Sequence, residues 1–220
     1  PTQRFTGREL LLDGDELDRR AAAGEGDAAP TRVFRDASRS IISRNDSPDI
    51  PFDASLNPYR GCEHGCSYCF ARPSHEYLGL SAGLDFERKL FAKPDAPELL
   101  AAELAKPSWV PRHLALSGVT DAYQPIERRL GITRGCLEVL AAHRQPVGVI
   151  SKNALVTRDL DLLAELARYG AARVSISLTT LDEDLRRRLE PRTSTATARL
   201  GAIRALADAG VPVGVVVAPV

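Results

Sequence analysis

The chain has 220 residues, 44% hydrophobic and 26% charged, the balance of a soluble globular protein long enough to bury a core. Its 29 Lys and Arg match its 29 Asp and Glu, and this zero net charge argues against a protein dominated by long polyanionic partners, although a local basic face stays open. No apolar run is long enough to cross a bilayer and residues 1–30 hold no apolar segment of a secretory signal, so no membrane partner is expected and cytoplasmic residence is the default.

Residues 1–30 mix charge with Gly and Ala and hold little that could bury apolar surface. Residues 1–37 are therefore expected to form a flexible extension ahead of a core domain over 38–220. Within it, Leu10, Leu11 and Leu12 could dock as a short strand or turn. Residues 31–56 read as an irregular lead-in pinned by Pro48 and Pro51, with a strand near 54–57. Residues 70–94 carry Phe70, Tyr77, Phe86 and Phe91 without periodicity, as expected of a loop with short elements.

From residue 95 the pattern turns regular. A helix is expected over 97–105, with Asp95 as N-cap and Pro97 in its first turn. A strand at 113–117 follows, then a helix over 126–143 that Gly131 or Gly135 could divide. Next come a strand at 147–151, a helix over 159–169 stopped by Gly170, a strand at 173–178, helices at 182–189 and 195–209, and a strand at 213–217.

Nearly continuous apolar strands alternating with helices predict a parallel sheet buried on both faces and built from right-handed βαβ units. The expected architecture is an incomplete parallel (β/α) barrel with five strands. Because the sequence ends at Ala218-Pro219-Val220, directly after the fifth, the expectation is a piece of a longer barrel. Chemistry in such barrels collects on the loops after the strand C-termini. The loops near residues 62–69, 117–121, 151–153 and 177–180 should then open onto one face.

Three of the four cysteines, Cys62, Cys66 and Cys69, fall in the spacing C-x3-C-x2-C with Tyr68 before the last. Three thiolates in one loop suit an iron–sulfur cluster, and would leave a [4Fe–4S] cube with one open iron. Zinc with His64 or another residue as a fourth ligand is a second reading, weakened because no second C-x2-C or C-x2-H module exists. Packing cysteines are a third. Cys136 lies among Leu137, Val139 and Leu140 and reads as a buried, inert thiol, so the set does not look like a disulfide framework.

C-x3-C-x2-C with an aromatic before its last cysteine resembles the signature of radical S-adenosylmethionine enzymes. The wider string, from Ser40-Ile41-Ile42 through Asn57-Pro58-Tyr59-Arg60-Gly61-Cys62 to Phe70-Ala71-Arg72-Pro73, is similar to the branch related to spore photoproduct lyase. The resemblance implies that Cys62, Cys66 and Cys69 hold a [4Fe–4S] cluster and that S-adenosylmethionine chelates the fourth iron. An electron, from a reductant of flavodoxin or ferredoxin type, would cleave the sulfonium to a 5′-deoxyadenosyl radical that takes hydrogen from an unspecified substrate. Photoproduct-lyase-like DNA repair is inherited from the resemblance alone, since the neutral charge gives it no support. The alternative from another class is a non-catalytic iron–sulfur or zinc-binding module.

The same resemblance places Tyr68 beside the adenine, where a bracing core aromatic is the plainer reading. The superfamily's usual Gly-Glu pair is absent after Gly118, so Ser117, Thr120 or Asp121 must accept the methionyl amino group. Lys152, after the third strand, can pair with the methionyl carboxylate or simply face solvent. Ser177 can bond ribose or carboxylate, with Ser175 on the same side of its strand as competitor. Arg192 points to carboxylate or substrate, whereas Arg186-Arg187-Arg188 reads mostly as a solvated face. His75-Glu76-Tyr77 could touch either ligand.

Overall fold

A computed structural model describes residues 10–11, 30–50 and 52–219. In chain order the first half contains β1 (Leu10–Leu11), β2 (Arg32–Arg35), β3 (Ile42–Arg44), β4 (Ala54–Leu56) and β5 (Tyr59–Arg60), then α1 (Leu84–Arg88), β6 (Lys89–Ala92) and α2 (Ala96–Leu104). The second half contains β7 (Leu114–Leu116), α3 (Glu127–Leu130), α4 (Ile132–Ala142), β8 (Val147–Ser151), α5 (Leu160–Arg168), β9 (Ala172–Ser177), α6 (Glu183–Leu189), α7 (Ala196–Asp208) and β10 (Val213–Val216). Short 3₁₀ turns at Arg72–Leu78 and Ala154–Asp159 precede α1 and α5.

The larger sheet runs β10-β9-β8-β7-β4-β3, and β4, β7, β8, β9 and β10 are mutually parallel. β3 closes one edge antiparallel to β4. These five parallel strands with their crossover helices are the expected barrel-type α/β layout. Alternation sorts the two faces. Val147 and Val149 of β8, with Val174 and Ile176 of β9, join the apolar core, whereas Ile150 and Ser177 line a cavity. α4 buries Ile132, Cys136, Leu137 and Leu140 along one stripe, which covers the sheet as the 3.6-residue period requires. Gly131, at φ 65°, divides α3 from α4; Gly135 does not interrupt α4.

A smaller sheet, β1-β2-β6-β5, corrects one expectation. Arg32–Arg35 does not belong to a flexible extension: β2 lies parallel to β6, with fully buried Val33 in register with Leu90. The ordered unit therefore starts ahead of residue 38, and Leu10–Leu11 adds to it as β1, antiparallel to β2. β6, inside the stretch expected to be loop, pairs on both sides and packs aromatic Phe91 against Phe34. The expected flexibility of residues 1–9 and 12–29 lies outside the described residues.

Asp95 occupies the N-cap position of α2 but its side chain does not cap the helix; both its oxygens accept from Arg35 Nη2, at 2.7 and 2.6 Å. Beyond β6, burial lowers the Lys93 ammonium to about 8, and the Asp36 carboxylate offsets only part of this. A lysine whose folded value is depressed binds fewer protons folded than unfolded, so its penalty persists below about 8 and fades as pH rises toward the usual lysine range. Lys93→Met is accordingly expected to raise the thermal midpoint at pH 7 by about 2–4 °C for each kcal/mol recovered. Melting curves should show the gain shrinking between pH 8 and 10.

Candidate functional site

The cysteine arm is shaped by two glycines that no other residue replaces without strain. Gly61 has φ 78°, and a Cβ there would lie 2.8 Å from the Phe86 carbonyl oxygen; Gly65 has φ 68°, with its Cβ position 2.8 Å from Glu87 Oε2. Between them the arm is fixed from outside. Cys62 N donates to Phe86 O at 2.9 Å, Glu63 N donates to Gln124 Oε1 at 2.9 Å, and Glu63 Oε2 accepts from Ile126 N at 2.6 Å. Cys62, Cys66 and Cys69 are all unpaired as disulfides, and all line one cavity of about 350 Å³.

The opposite wall comes from the C-terminal ends of β7, β8 and β9, so the expected convergence of strand-end loops is present. Ser117 and Gly118 follow β7, Ser151 ends β8 and Lys152 follows it, and Ser177 ends β9; all five line the cavity. Ser117 adopts φ 76°, a strained conformation for serine that clusters at ligand clamps. Its Oγ and that of Thr120 are buried without any hydrogen-bond partner, although both residues line the cavity. Two orphaned hydroxyls beside a cavity are acceptors or donors waiting for a guest.

Asp121 lines the same wall, but its carboxylate is already engaged. It accepts from Ser151 Oγ at 2.8 Å, from Lys152 N at 2.8 Å and from Tyr123 N at 2.8 Å, and His64 Nδ1 lies 3.4 Å away. Burial pushes this carboxyl up, but His64 and the bonds from Lys152 and Tyr123 N–H outweigh it and hold it below its ordinary value. Of the three candidate acceptors, Ser117 and Thr120 are the ones left open. Lys152 forms no ion pair among the described residues, and its Nζ sits 5.8 Å from the Tyr68 ring centroid. Ser177 lines the cavity; Ser175 does not.

Tyr68 and Arg192 lie outside the cavity lining. The Tyr68 hydroxyl is spent on Glu190 and on Thr179 Oγ1, so the residue braces the arm from behind. Arg192 clamps the same arm: Nε donates to the Glu63 carbonyl, Nη2 reaches Glu87 Oε2 at 2.7 Å, and its backbone N donates to His64 O at 3.2 Å. Ser67 N adds a bond to Leu189 O at 2.9 Å. Residues 189–194 thus form a clasp for the cysteine arm that sequence reasoning missed. The signal was in Glu190-Pro191-Arg192, where a proline fixes two charged residues in a loop. Arg186, expected in a solvated face, is buried and donates to the carbonyls of Glu190 and Thr193. His75 is buried beneath the arm, its Nε2 2.9 Å from Lys89 O, and Tyr77 is exposed.

Electrostatics bear on what the thiols can bind. Burial pushes the Cys62 thiol far up, and pushes Cys66 up to about 12 against the lowering influence of Lys152. As free groups both stay protonated; a coordinated metal would deprotonate them outright. Among the described residues no three His, Cys, Asp or Glu side chains gather tightly enough for a single metal ion. Cys62, Cys66 and Cys69 share one cavity lining, and His64, the candidate fourth ligand of a zinc site, is turned to Asp121 and to Asn153 Nδ2, 3.4 Å away. Cys136, fully buried in α4, has its thiol pushed up by burial and stands apart from the cavity lining.

Comparison with known proteins gives this geometry a family. The chain is 42% identical over 171 residues to an uncharacterised protein of Mycobacterium tuberculosis, covering 78% of the chain and 50% of the relative. A protein of Methanocaldococcus jannaschii is 26% identical over 156 residues, 71% of this chain and 56% of that one. The chain thus spans about half the length of the curated relatives it matches. Among solved structures, spore photoproduct lyase complexed with dinucleoside spore photoproduct superposes with a TM-score of 0.61 at 20% identity, over 85% of this chain and 50% of that one. A mutant of the same lyase with bound AdoMet and dinucleoside spore photoproduct gives 0.62 at 19%, over 85% and 51%. At these identities the likeness is one of fold. The family model for the Radical SAM superfamily matches residues 56–220, and the chain belongs to that superfamily.

Proposed function

We propose that this chain carries the cofactor half of a radical enzyme: Cys62, Cys66 and Cys69 hold a [4Fe–4S] cluster, and the wall from β7, β8 and β9 holds S-adenosylmethionine against it. The observation that carries the reading is the pairing, across one cavity, of three free thiols with two buried, partnerless hydroxyls on Ser117 and Thr120. When bound, the pair supplies one-electron cleavage of the sulfonium, giving a 5′-deoxyadenosyl radical that abstracts hydrogen. The hard chemistry is the cofactor's, and the protein binds, orients and encloses.

The residues divide that work. Ser117 Oγ and Thr120 Oγ1 are the open polar groups for the methionyl amino group. Lys152 presents an ammonium without an ion-pair partner among the described residues, a compact counter-charge for a carboxylate. Ser177 closes the wall toward the ribose. Asp121 touches none of these contacts; it holds the Lys152 backbone and Ser151 in place. Ile150 and Phe70, the latter 81% exposed, give the cavity an apolar rim that faces an incoming substrate. The substrate's identity belongs to the whole protein, as does the reductant of flavodoxin or ferredoxin type.

The test is anaerobic reconstitution with iron and sulfide, then dithionite and S-adenosylmethionine. Release of 5′-deoxyadenosine and methionine is the expected outcome. A protein that loads the cluster yet releases neither is a carrier, the non-catalytic alternative.

A further inference from the structure

Three walls of the cavity are tied to one ion pair that does not itself reach the cavity. Arg199 lies on the buried stripe of α7 with Ala196, Ala202 and Leu206, and is only 1% exposed. All three of its guanidinium nitrogens are used. Nε donates to Ser194 O at 2.9 Å, Nη1 to Ser177 O at 2.9 Å, and Nη2 to Glu190 Oε2 at 2.5 Å and to the Thr193 hydroxyl. Glu190, fully buried, turns its other oxygen to the Tyr68 hydroxyl and to Thr179 Oγ1 at 2.8 Å. Ser194 N donates to the Lys152 carbonyl at 3.3 Å, and Ser194 Oγ to Asn153 Oδ1 at 2.9 Å.

The connections run to Tyr68 between Cys66 and Cys69, to the backbone of Lys152 after β8, and to the end of β9 at Ser177. Stability alone does not call for such a pair, because well-packed apolar side chains commonly replace a buried ion pair without loss. What apolar side chains cannot do is hold three backbone segments at fixed separations through directional bonds. Arg199 does this with a planar fork, and Glu190 extends it to the cysteine arm.

We propose that Glu190 and Arg199 are a positioning pair for cosubstrate binding. They set the spacing of Tyr68, Lys152 and Ser177 and act through these residues, without touching the bound molecule. The inference rests on the reading of the cavity as the S-adenosylmethionine site. In this scheme Tyr68 acts through its hydroxyl: held by Glu190, its ring stays beneath the Lys152 ammonium.

The experiment is anaerobic equilibrium dialysis of S-adenosylmethionine against reconstituted protein, with iron content and thermal midpoint measured on the same samples. Wild type comes first, and its failure to bind S-adenosylmethionine would remove the underlying reading and this inference with it. The charge-neutral double variant Glu190→Gln/Arg199→Met is expected to keep wild-type iron content, with a thermal midpoint lowered by the buried carbonyls it leaves unpaired, while its Kd, measured well below that midpoint, rises about tenfold, the size of one charge-assisted hydrogen bond. A wild-type Kd in that variant, or loss of cluster along with affinity, overturns the positioning role. Tyr68→Phe and Glu190→Gln should each weaken binding, and combining them should add little to Glu190→Gln alone. Additive effects would overturn the route through Tyr68.

Discussion

Replacing Cys62, Cys66 or Cys69 with Ala is expected to abolish iron loading, whereas Cys136→Ala leaves iron and sulfide at the wild-type level. Only the first three thiols line the cavity, on an arm whose shape is fixed by Gly61 and Gly65 and by bonds to Phe86, Gln124 and Ile126. In the proposed site each is an independent ligand, so the loss of one would leave two, too few to retain a cube against release. Cys136 is buried among Leu137, Leu140 and the underside of α2, where truncation to Ala removes one sulfur from the core and costs about 1–2 kcal/mol. Iron and sulfide analysis after anaerobic reconstitution separates the two classes. Equal iron loss in all four variants would contradict the ligand assignment.

Asp121→Ala is expected to be the most damaging substitution on the opposite wall, destabilising the chain by about 3–5 kcal/mol because it leaves several buried donors unpaired. The carboxylate gathers Tyr123 N, Ser151 Oγ and Lys152 N, and without it the loops after β7 and β8 lose their common anchor. Asp121→Asn should restore part of the loss, since an amide oxygen still accepts from Tyr123 N or Ser151 while its NH₂ faces the Lys152 N–H. Urea midpoints of the three proteins check this order. Since the folded carboxyl titrates below its unfolded value, its contribution is complete above the unfolded range near pH 4 and is lost as pH falls through the folded value. A wild-type midpoint in Asp121→Ala would show that the network carries no stability.

Much of this was legible in the chain because the relevant signals are local. The runs ending at Ser117, Ser151 and Ser177 are short, apolar and β-rich, and parallel strands buried on both faces read in that way. The cysteine spacing carries its own chemistry. Strand ends in a βαβ layout share one edge, so Ser117, Lys152 and Ser177 could be placed on one face before any coordinates. β2 and β6 were harder: four-residue strands such as Arg32-Val33-Phe34-Arg35 pair across more than fifty residues, and no local period announces it. Tyr68 was placed beside the adenine by family resemblance, and Arg192 toward carboxylate or substrate by its place in a loop after Pro191. Their hydroxyl and guanidinium were claimed first by Glu190, Glu63 and Glu87, partners set by tertiary contact alone. Arg199 gave no warning at all, as an arginine on a helix is ordinarily exposed.

In the proposed site, three thiols and the Ser117–Lys152–Ser177 wall act together, with an iron left open to S-adenosylmethionine. Electron paramagnetic resonance of the dithionite-reduced, reconstituted protein tests it most directly. The expected result is a reduced [4Fe–4S] signal whose g-values shift on addition of S-adenosylmethionine, with the shift weakened in Lys152→Met at unchanged iron content. A reduced signal that is identical with and without S-adenosylmethionine would contradict it.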